Sequence, residues 1–346
     1  MAQHYQVELH AAADFEHRTV NGVVVYGLPR WQKESDRRAI RKELFRRLRK
    51  GRPDLLHFHD PELIPLGLWW RITRGIPVVY DIHENVGATI LRKSWLGPLQ
   101  RRLFWLTYKI FEKIAVLFFS KLILAEQSYR DFIHKNAETV MNFPRAIPPP
   151  LNSAKTCDAI YIGGVTRERG IFQMLEMAVA IREYYPGFRL QIIGPVMSRD
   201  QLPIENFIQQ NDLGTTVEMK GRMPFNETMQ ALDNARVGLA LLQPIDNYTR
   251  SLPTKVMEYM LHEVPFIASD FNYWRNFLGS SGGGFFVDPD VTQIIVSALE
   301  QLLDNPEQAI AMGKAGRADV LERLCWEREE EKLLACYRKL LVENPE

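Results

Sequence analysis

Three groups of residues in this sequence have the types and the spacing that chemistry needs. The first is IYIGGVTRERG at 160–170. An apolar run enters Gly163-Gly164, a short loop carries Arg167 and Arg169, and Gly170 precedes a helical pattern. Glycines let the backbone approach a ligand closely. A helix that starts after such a loop presents unpaired N–H groups to an anion. An arginine at its mouth can meet a diphosphate with two parallel hydrogen bonds. The plainer reading is a tight strand-to-helix turn with solvated arginines, and the glycine spacing is not that of the GxGxxG dinucleotide fingerprint.

The second group is NYTRSLPTKVMEYMLHEVPFIASD at 247–270. Pro253 is a favoured first-turn residue and marks a helix start, with Ser251 or Leu252 in the cap region. Lys255 and Glu258 are three apart and share a face. Such a carboxylate can accept hydrogen bonds from both ribose hydroxyls, and such a lysine can neutralise phosphate. Read alone, the pair is a surface ion pair of a few tenths of a kcal/mol. The third group is HFHDPEL (57–63) with YDIHENV (80–86), where histidines and carboxylates close two consecutive apolar runs. In open α/β sheets, active-site residues lie at strand ends. His59, Asp60, Glu62, His83 and Glu84 are therefore candidates to bind the hydroxyls of an acceptor. His57, inside the strand pattern, reads as a near-core group. No HExxH or comparable spacing appears, so no metal is expected.

The elements that must position these groups alternate. Strand-like runs at 23–28, 54–59, 76–83, 121–126 and 138–144 are separated by helical patterns such as 35–50 and 98–119. A second set follows at 158–164, 188–194, 216–222, 237–243 and 264–270, with helical segments between them. Alternation of this kind predicts parallel sheets covered by helices. Two sets predict an α/β protein of two doubly wound, Rossmann-like domains facing a cleft, in line with 346 residues at roughly 100–200 per domain. The domains are placed at 1–146 and 157–326. The proline-rich PRAIPPPLNSAKT (144–156) serves as linker, and an amphipathic helix over 327–346 follows.

Composition narrows the partners. The chain carries a net charge of +1, but residues 1–150 hold 24 Lys+Arg against 15 Asp+Glu and residues 151–346 hold 19 against 27. The basic half suits an anionic partner. No nucleic-acid recognition motif appears, so nucleic acid is not expected. The helix near 95–121 joins Trp95 and Trp105 to Arg92, Lys93, Arg101 and Arg102. It reads mainly as core packing, with peripheral contact to an anionic membrane as the alternative. No apolar run reaches about 18 residues, so no membrane span is expected. The N-terminus is too polar for a signal peptide. Cys157, Cys325 and Cys336 form no metal or disulfide pattern. The expected setting is cytoplasmic, at most at the inner membrane face.

Together these segments resemble the nucleotide-sugar glycosyltransferases of the GT-B fold, specifically the large retaining family four. The motifs that carry the resemblance are Gly163–Gly170 with Glu168-Arg169-Gly170 in place of Glu-Lys-Gly, IIG at 192–194, KGR at 220–222, PTKVMEYM at 253–260 and VPFIASD at 264–270. FHDPEL and YDIHEN are similar to a subgroup that builds surface polysaccharides. The resemblance implies metal-independent transfer, with retention, from a nucleotide-diphosphate sugar to a glycan or lipid-linked acceptor. UDP is the first guess for the nucleotide, and no cofactor is needed. It implies that Arg169 and Lys255 hold the diphosphate, with Gly163, Gly164 and Gly170 beside it. Glu258 would bind the ribose, Gly194 and Gly221–Met223 would border the base, and Arg222, Ser251 and Thr254 would complete the donor site. His83 would stand at the reacting sugar as the catalytic residue. The last helix would pack back on the first domain.

Two features depart from the family. Arg250 stands where a glutamate often lies eight positions before Glu258. The chain also begins at what is usually the second strand, so that the first domain is expected to be short by a strand and a helix. That departure favours, as the reading from another class, a non-catalytic sugar-nucleotide-binding or scaffolding subunit. A GT-B-fold epimerase is the alternative among enzymes.

Overall fold

The computed structural model describes residues 1–30, 34–83, 86–92, 97–131, 133, 136–150 and 155–342. The chain divides into two compact units, Met1–Met141 with Glu330–Glu346 and Asn142–Glu329.

The first unit contains β1 (Glu8–Ala12), β2 (His17–Val20), β3 (Val23–Leu28), α1 (Glu34–Gly51), β4 (Leu56–Phe58), α2 (Ile64–Arg74), β5 (Val78–Ile82), α3 (Val86–Arg92), α4 (Pro98–Phe118), β6 (Lys121–Leu124) and β7 (Ala137–Thr139). A single doubly wound sheet is expected here, but the strands form two sheets. One is three-stranded in the order β1-β3-β2, with β2 antiparallel; the other is the parallel β4-β5-β6-β7. The physical reason for β2 is local. Asn21 and Gly22 both have positive φ, and a two-residue turn of that kind returns the chain as a hairpin. Every residue of β2 is exposed, so the hairpin adds an edge rather than a layer.

The core of this unit lies on the four-stranded sheet. β5 (VVYDI) is buried throughout, as befits a parallel strand covered on both faces. Phe58, Ile64, Tyr80, Leu122 and Leu124 pack with Ala115 of α4 and Phe119 in one cluster. Full burial of one such side chain is worth about 1.5–3 kcal/mol. Helix α1 is polar overall and touches the core through Leu44 and Leu48, four residues apart, against Trp70 of α2.

The second unit contains β8 (Cys157–Ile162), α5 (Ile171–Ile181), β9 (Leu190–Ile193), α6 (Ser198–Gln210), β10 (Val217–Gly221), α7 (Phe225–Asp233), β11 (Ala235–Ala240), α8 (Asp246–Arg250), α9 (Thr254–Leu261), β12 (Phe266–Ser269), α10 (Asn272–Leu278), β13 (Gly284–Val287), α11 (Thr292–Asp304) and α12 (Pro306–Arg323). Its six strands are all parallel, in the order β10-β9-β8-β11-β12-β13. The strand order reverses between β8 and β11, the point at which such sheets open a crevice for ligands. Helix α5 buries Ile171, Met174, Leu175, Ala178 and Ile181, an i, i+3, i+4 stripe laid on the sheet.

Helix α13 (Trp326–Val342) starts in the second unit and ends in the first. Its Tyr337 hydroxyl is hydrogen-bonded to Nδ1 of His57, and the Tyr5 and Tyr337 rings meet edge to face at 6.1 Å. Among the described residues, no helix is long and apolar enough to cross a membrane.

Candidate functional site

In the second unit, the loops that follow β8, β9 and β10 and the first turn of α9 enclose an open cavity of about 410 Å³. Gly163, Arg169, Gly194, Arg222, Thr254, Lys255 and Glu258 line it together with Met223, Phe225, Thr228 and Met229. Two of the glycines are needed for the backbone path. Gly163 has φ 121° and Gly194 φ 148°, and a Cβ on Gly194 would lie 1.8 Å from the Gly163 carbonyl oxygen. A Cβ on Gly163 would lie 3.4 Å from Lys255 Nζ and 3.5 Å from an Arg169 guanidinium nitrogen. The turn therefore brings bare backbone against two cations.

Each cation is held by its element. The Arg169 amide donates to Oγ1 of Thr166 at 3.2 Å, which closes the turn. The guanidinium lies 5.9 Å from the ring centroid of Tyr248. Burial lowers the Arg169 pKa, but Tyr248 and Tyr161 outweigh it and the net direction is upward. Lys255 sits on α9, which Tyr259 anchors: its hydroxyl donates to the Leu239 carbonyl at 3.0 Å and accepts from the Ile162 amide at 3.3 Å. The Lys255 ammonium is buried, has no hydrogen-bond partner, and lies 4.0 Å from the Tyr161 ring centroid. Burial, then repulsion from Arg169, pushes it well below the usual lysine range, with only Glu258 opposing. Burial likewise pushes the Glu258 carboxyl up, and Lys255 opposes. A buried, unpartnered cation beside a second cation is costly, and an anion in the cavity would relieve it.

Of the residues singled out in the sequence for this site, three stand apart from the cavity. Gly164 and Gly170 do not line it; Gly170 instead packs on Leu241, where a Cβ would meet the carbonyl oxygen at 1.9 Å. Ser251 does not line it either. Its hydroxyl donates to the Asn247 carbonyl at 2.7 Å, and its own carbonyl accepts from Trp274 Nε1 at 2.7 Å. Pro253, rather than Ser251 or Leu252, is the N-cap of α9. Sequence reading missed Phe225 and Met229. Phe225 is 69% exposed at the start of α7, and the sequence signal available for it is an aromatic next to Pro224, just after the KGR motif at 220–222.

In the first unit, β4 and β5 bring His57, His59, Asp81 and His83 together. Asp81 Oδ2 lies 3.4 Å from His57 Nε2, 3.2 Å from His59 Nδ1 and 3.1 Å from His83 Nε2. His59 Nδ1 and His83 Nε2 are 2.9 Å apart. Burial pushes the Asp81 carboxyl up, but hydrogen bonds from the three imidazoles outweigh it and hold it well below the usual carboxylate range. His57, read from sequence as a near-core group, belongs to this cluster. Asp81 was not singled out; its place in YDIH reads simply as a strand residue. Asp60 is exposed just beyond β4. Glu62 pairs with Arg37 and Arg41 of α1. Glu84 lies outside the described residues, as do Lys93 and Trp95.

A six-stranded parallel sheet presents, at its switch point, a glycine turn, two converging cations and a carboxylate, an arrangement whose charge suits an anionic ligand. The family profile described as glycosyl transferases group 1 matches residues 145–319, and that described as glycosyl transferase 4-like domain matches residues 1–141. The chain belongs to the group 1 glycosyltransferases. Among solved structures, it is similar to a sucrose-phosphate synthase from Thermosynechococcus elongatus (TM-score 0.77, 18% identity, 99% of this chain and 91% of that one). It is also similar to HepE from Anabaena in complex with UDP (TM-score 0.69, 12% identity, 92% and 86%), and to WaaG, a glycosyltransferase of lipopolysaccharide biosynthesis (TM-score 0.68, 11% identity, 96% and 91%). At these identities the likeness is one of GT-B fold. No curated protein matches the chain.

Proposed function

We propose that this chain transfers a sugar from a nucleotide-diphosphate sugar, with UDP as the nucleotide, to a hydroxyl of a glycan or lipid-linked acceptor, with retention at the anomeric carbon. The observation that carries the reading is the buried, unpartnered Lys255 ammonium beside Arg169 at the glycine turn. A diphosphate bound there replaces cation–cation repulsion with charge-assisted hydrogen bonds. Glu258 accepts from the ribose hydroxyls, while Phe225, Met223 and Met229 give the base an apolar wall. Arg222 and Thr254 complete the donor's surroundings. The UDP in the HepE structure is consistent with this ligand class.

In the transfer, the bond from the anomeric carbon to the diphosphate oxygen breaks, a bond to the acceptor oxygen forms on the same face, and the acceptor's hydroxyl proton passes to the leaving diphosphate oxygen. Fixed cations stabilise the charge that develops on the leaving diphosphate, so the donor side calls for no metal and no cofactor. His83, with its Nε2 at Asp81, orients the acceptor hydroxyl. His59 and Asp60 contact other acceptor hydroxyls. Glu62 is assigned to the same acceptor through whatever capacity its arginine pairs leave.

A lipid-linked acceptor would bring the chain to the cytoplasmic face of a membrane, and α4 favours that reading. Leu99, Leu103, Phe104, Leu106, Ile110 and Leu117 on this helix are each at least half exposed, alongside Arg101, Arg102, Lys109 and Lys113. Such a face suits an anionic lipid surface.

A thermal-shift series against nucleoside diphosphates and nucleotide sugars tests the donor reading. Selective stabilisation by uridine compounds is expected, about 2.7 kcal/mol at a hundredfold excess over the dissociation constant, together with turnover of one UDP-sugar. Stabilisation without any turnover would favour a non-catalytic binding subunit. No stabilisation of the folded chain would overturn the donor site.

A further inference from the structure

Helix α1 carries a charge that neither the donor cavity nor the Asp81 cluster uses. Residues 37–52 hold nine Lys+Arg and a single acidic residue, Glu43. Four of the nine are paired within the first unit: Arg46 and Arg47 with Glu43, and Arg37 and Arg41 with Glu62. Arg38, Lys42, Arg49, Lys50 and Arg52 are exposed, and among the described residues none of them meets a carboxylate. At about 100° per residue, spacings of four and seven put Arg38, Lys42 and Arg49 within about 40° of one another. They form a row about 16 Å long at about 1.5 Å per residue. Like charges four apart destabilise a helix, and here nothing within the first unit offsets them. An opposite charge laid along the row would.

The row brings charge and no apolar surface. Leu44 and Leu48 turn away from it and pack on Trp70, and the Phe45 ring meets Trp69 edge to face at 4.7 Å. A helix that lies in a lipid surface sinks an apolar face into it, and α1 has already spent its own on the core. Helix α4, with its exposed leucines, is the opposite case. A water-borne polyanion therefore fits α1 better than a bilayer does. The row is also continuous with the acceptor side. Glu62 comes three residues after His59, its carboxylate meets Arg37 and Arg41, and Arg41 is an i,i+3 neighbour of Arg38 on the helix surface.

We propose that the acceptor is an anionic glycan, with negative charges repeated along its chain, and that Arg38, Lys42 and Arg49 hold the part of it that extends beyond the strand ends of β4 and β5. This deepens the acceptor reading and rests on it. The contacts are between exposed charges in water, so the grip is weak at each residue, summed along the row, and sensitive to salt.

The test is fluorescence anisotropy of a labelled oligogalacturonate with the full-length chain, a dextran oligomer of equal length serving as the neutral control. Co-sedimentation with phosphatidylglycerol–phosphatidylcholine vesicles runs beside it. The wild-type chain should bind the oligogalacturonate and not the dextran, and should release it in 1 M salt, where the screening length falls to about 3 Å. Arg38→Gln, Lys42→Gln and Arg49→Gln together should weaken binding about tenfold with the melting transition unchanged. Arg102→Gln with Lys113→Gln on α4 should leave it at the wild-type value. A wild-type chain that binds no oligogalacturonate, a triple variant that binds as wild type, or an α4 variant that loses as much as the triple variant would overturn the assignment. So would a triple variant that loses vesicles and keeps the glycan, which would make α1 a lipid-facing helix. The binding arm needs neither nucleotide nor turnover. A triple variant with wild-type glycan binding and intact stabilisation by UDP would therefore show that the α1 row alone is wrong, whereas a wild-type chain that binds the glycan and no nucleotide would sink the donor reading and leave the row in place.

Discussion

The two clusters of this molecule handle buried charge in opposite ways. Around Lys255, two cations share a low-polarity wall with one carboxylate, and burial and repulsion drive the ammonium toward neutrality. Around Asp81, three imidazoles surround one carboxylate and hold it ionised against its own burial. The first arrangement is under electrostatic tension at rest and gains from an arriving anion. The second is already held by hydrogen bonds to Asp81 Oδ2, and its tension lies in Asp81 Oδ1, which meets no partner. An anion arriving in the second unit would therefore gain from relieved repulsion, a gain that the hydrogen-bonded Asp81 cluster does not offer.

That contrast can be broken most sharply at His83. His83→Ala should lower the transfer rate about 100-fold, the cost of misplacing a reacting group by about 1 Å, with donor affinity unchanged. A normal rate would remove His83 from the reaction. Next in size, Lys255→Ala and Arg169→Ala should each weaken donor binding by about 1.5–3 kcal/mol, the worth of a charge-assisted bond; isothermal calorimetry reading wild-type affinity in both would end the diphosphate assignment.

The resting tension itself predicts a gain. Lys255→Met should raise stability by about 1–4 kcal/mol, the range seen when buried ionic groups give way to apolar ones of similar volume. A denaturant midpoint at or below wild type would show that Lys255 is already compensated. The pH dependence has a definite sign. Lys255 titrates low, so an anion that needs its charge binds with proton uptake, and affinity falls as pH rises, by up to about tenfold per unit. Calorimetry in buffers of different ionisation enthalpy measures that uptake, and proton release would contradict it. The smallest effect is expected at Ser251. Its hydroxyl is tied to Asn247 and lies outside the cavity lining, so Ser251→Ala should shift donor binding by no more than about 0.5 kcal/mol.

The sequence was most legible where pattern and position coincide. The glycine turn at 163–170 and the PTKVMEYM segment announced their elements, because an apolar strand ending in glycine and a proline-led helix are local signals. The alternation that marks β8 to β12 is local too. The first unit was harder to read. β2 has no buried residue, so no hydrophobic pattern could mark it, and the division into two sheets depends on pairings between strands rather than on any one of them. Asp81 carries no local signal, because its meaning comes from the register of β4 against β5. The family resemblance puts Ser251 in the donor site, but its carbonyl is tied to Trp274, more than twenty residues later, a partner no local pattern announces.

Tyr337, which orients His57, comes 280 residues after it. Synthesis proceeds from the N-terminus, and domains tend to fold as they emerge. Strands β4 and β5 can pair early on the ribosome, but the histidine they carry acquires its partner only when the last helix has left the exit tunnel. A nascent chain would thus hold a folded sheet with an unfinished cluster for most of its translation. A chain clipped before residue 337 would keep the sheet and lose the contact that sets the ring.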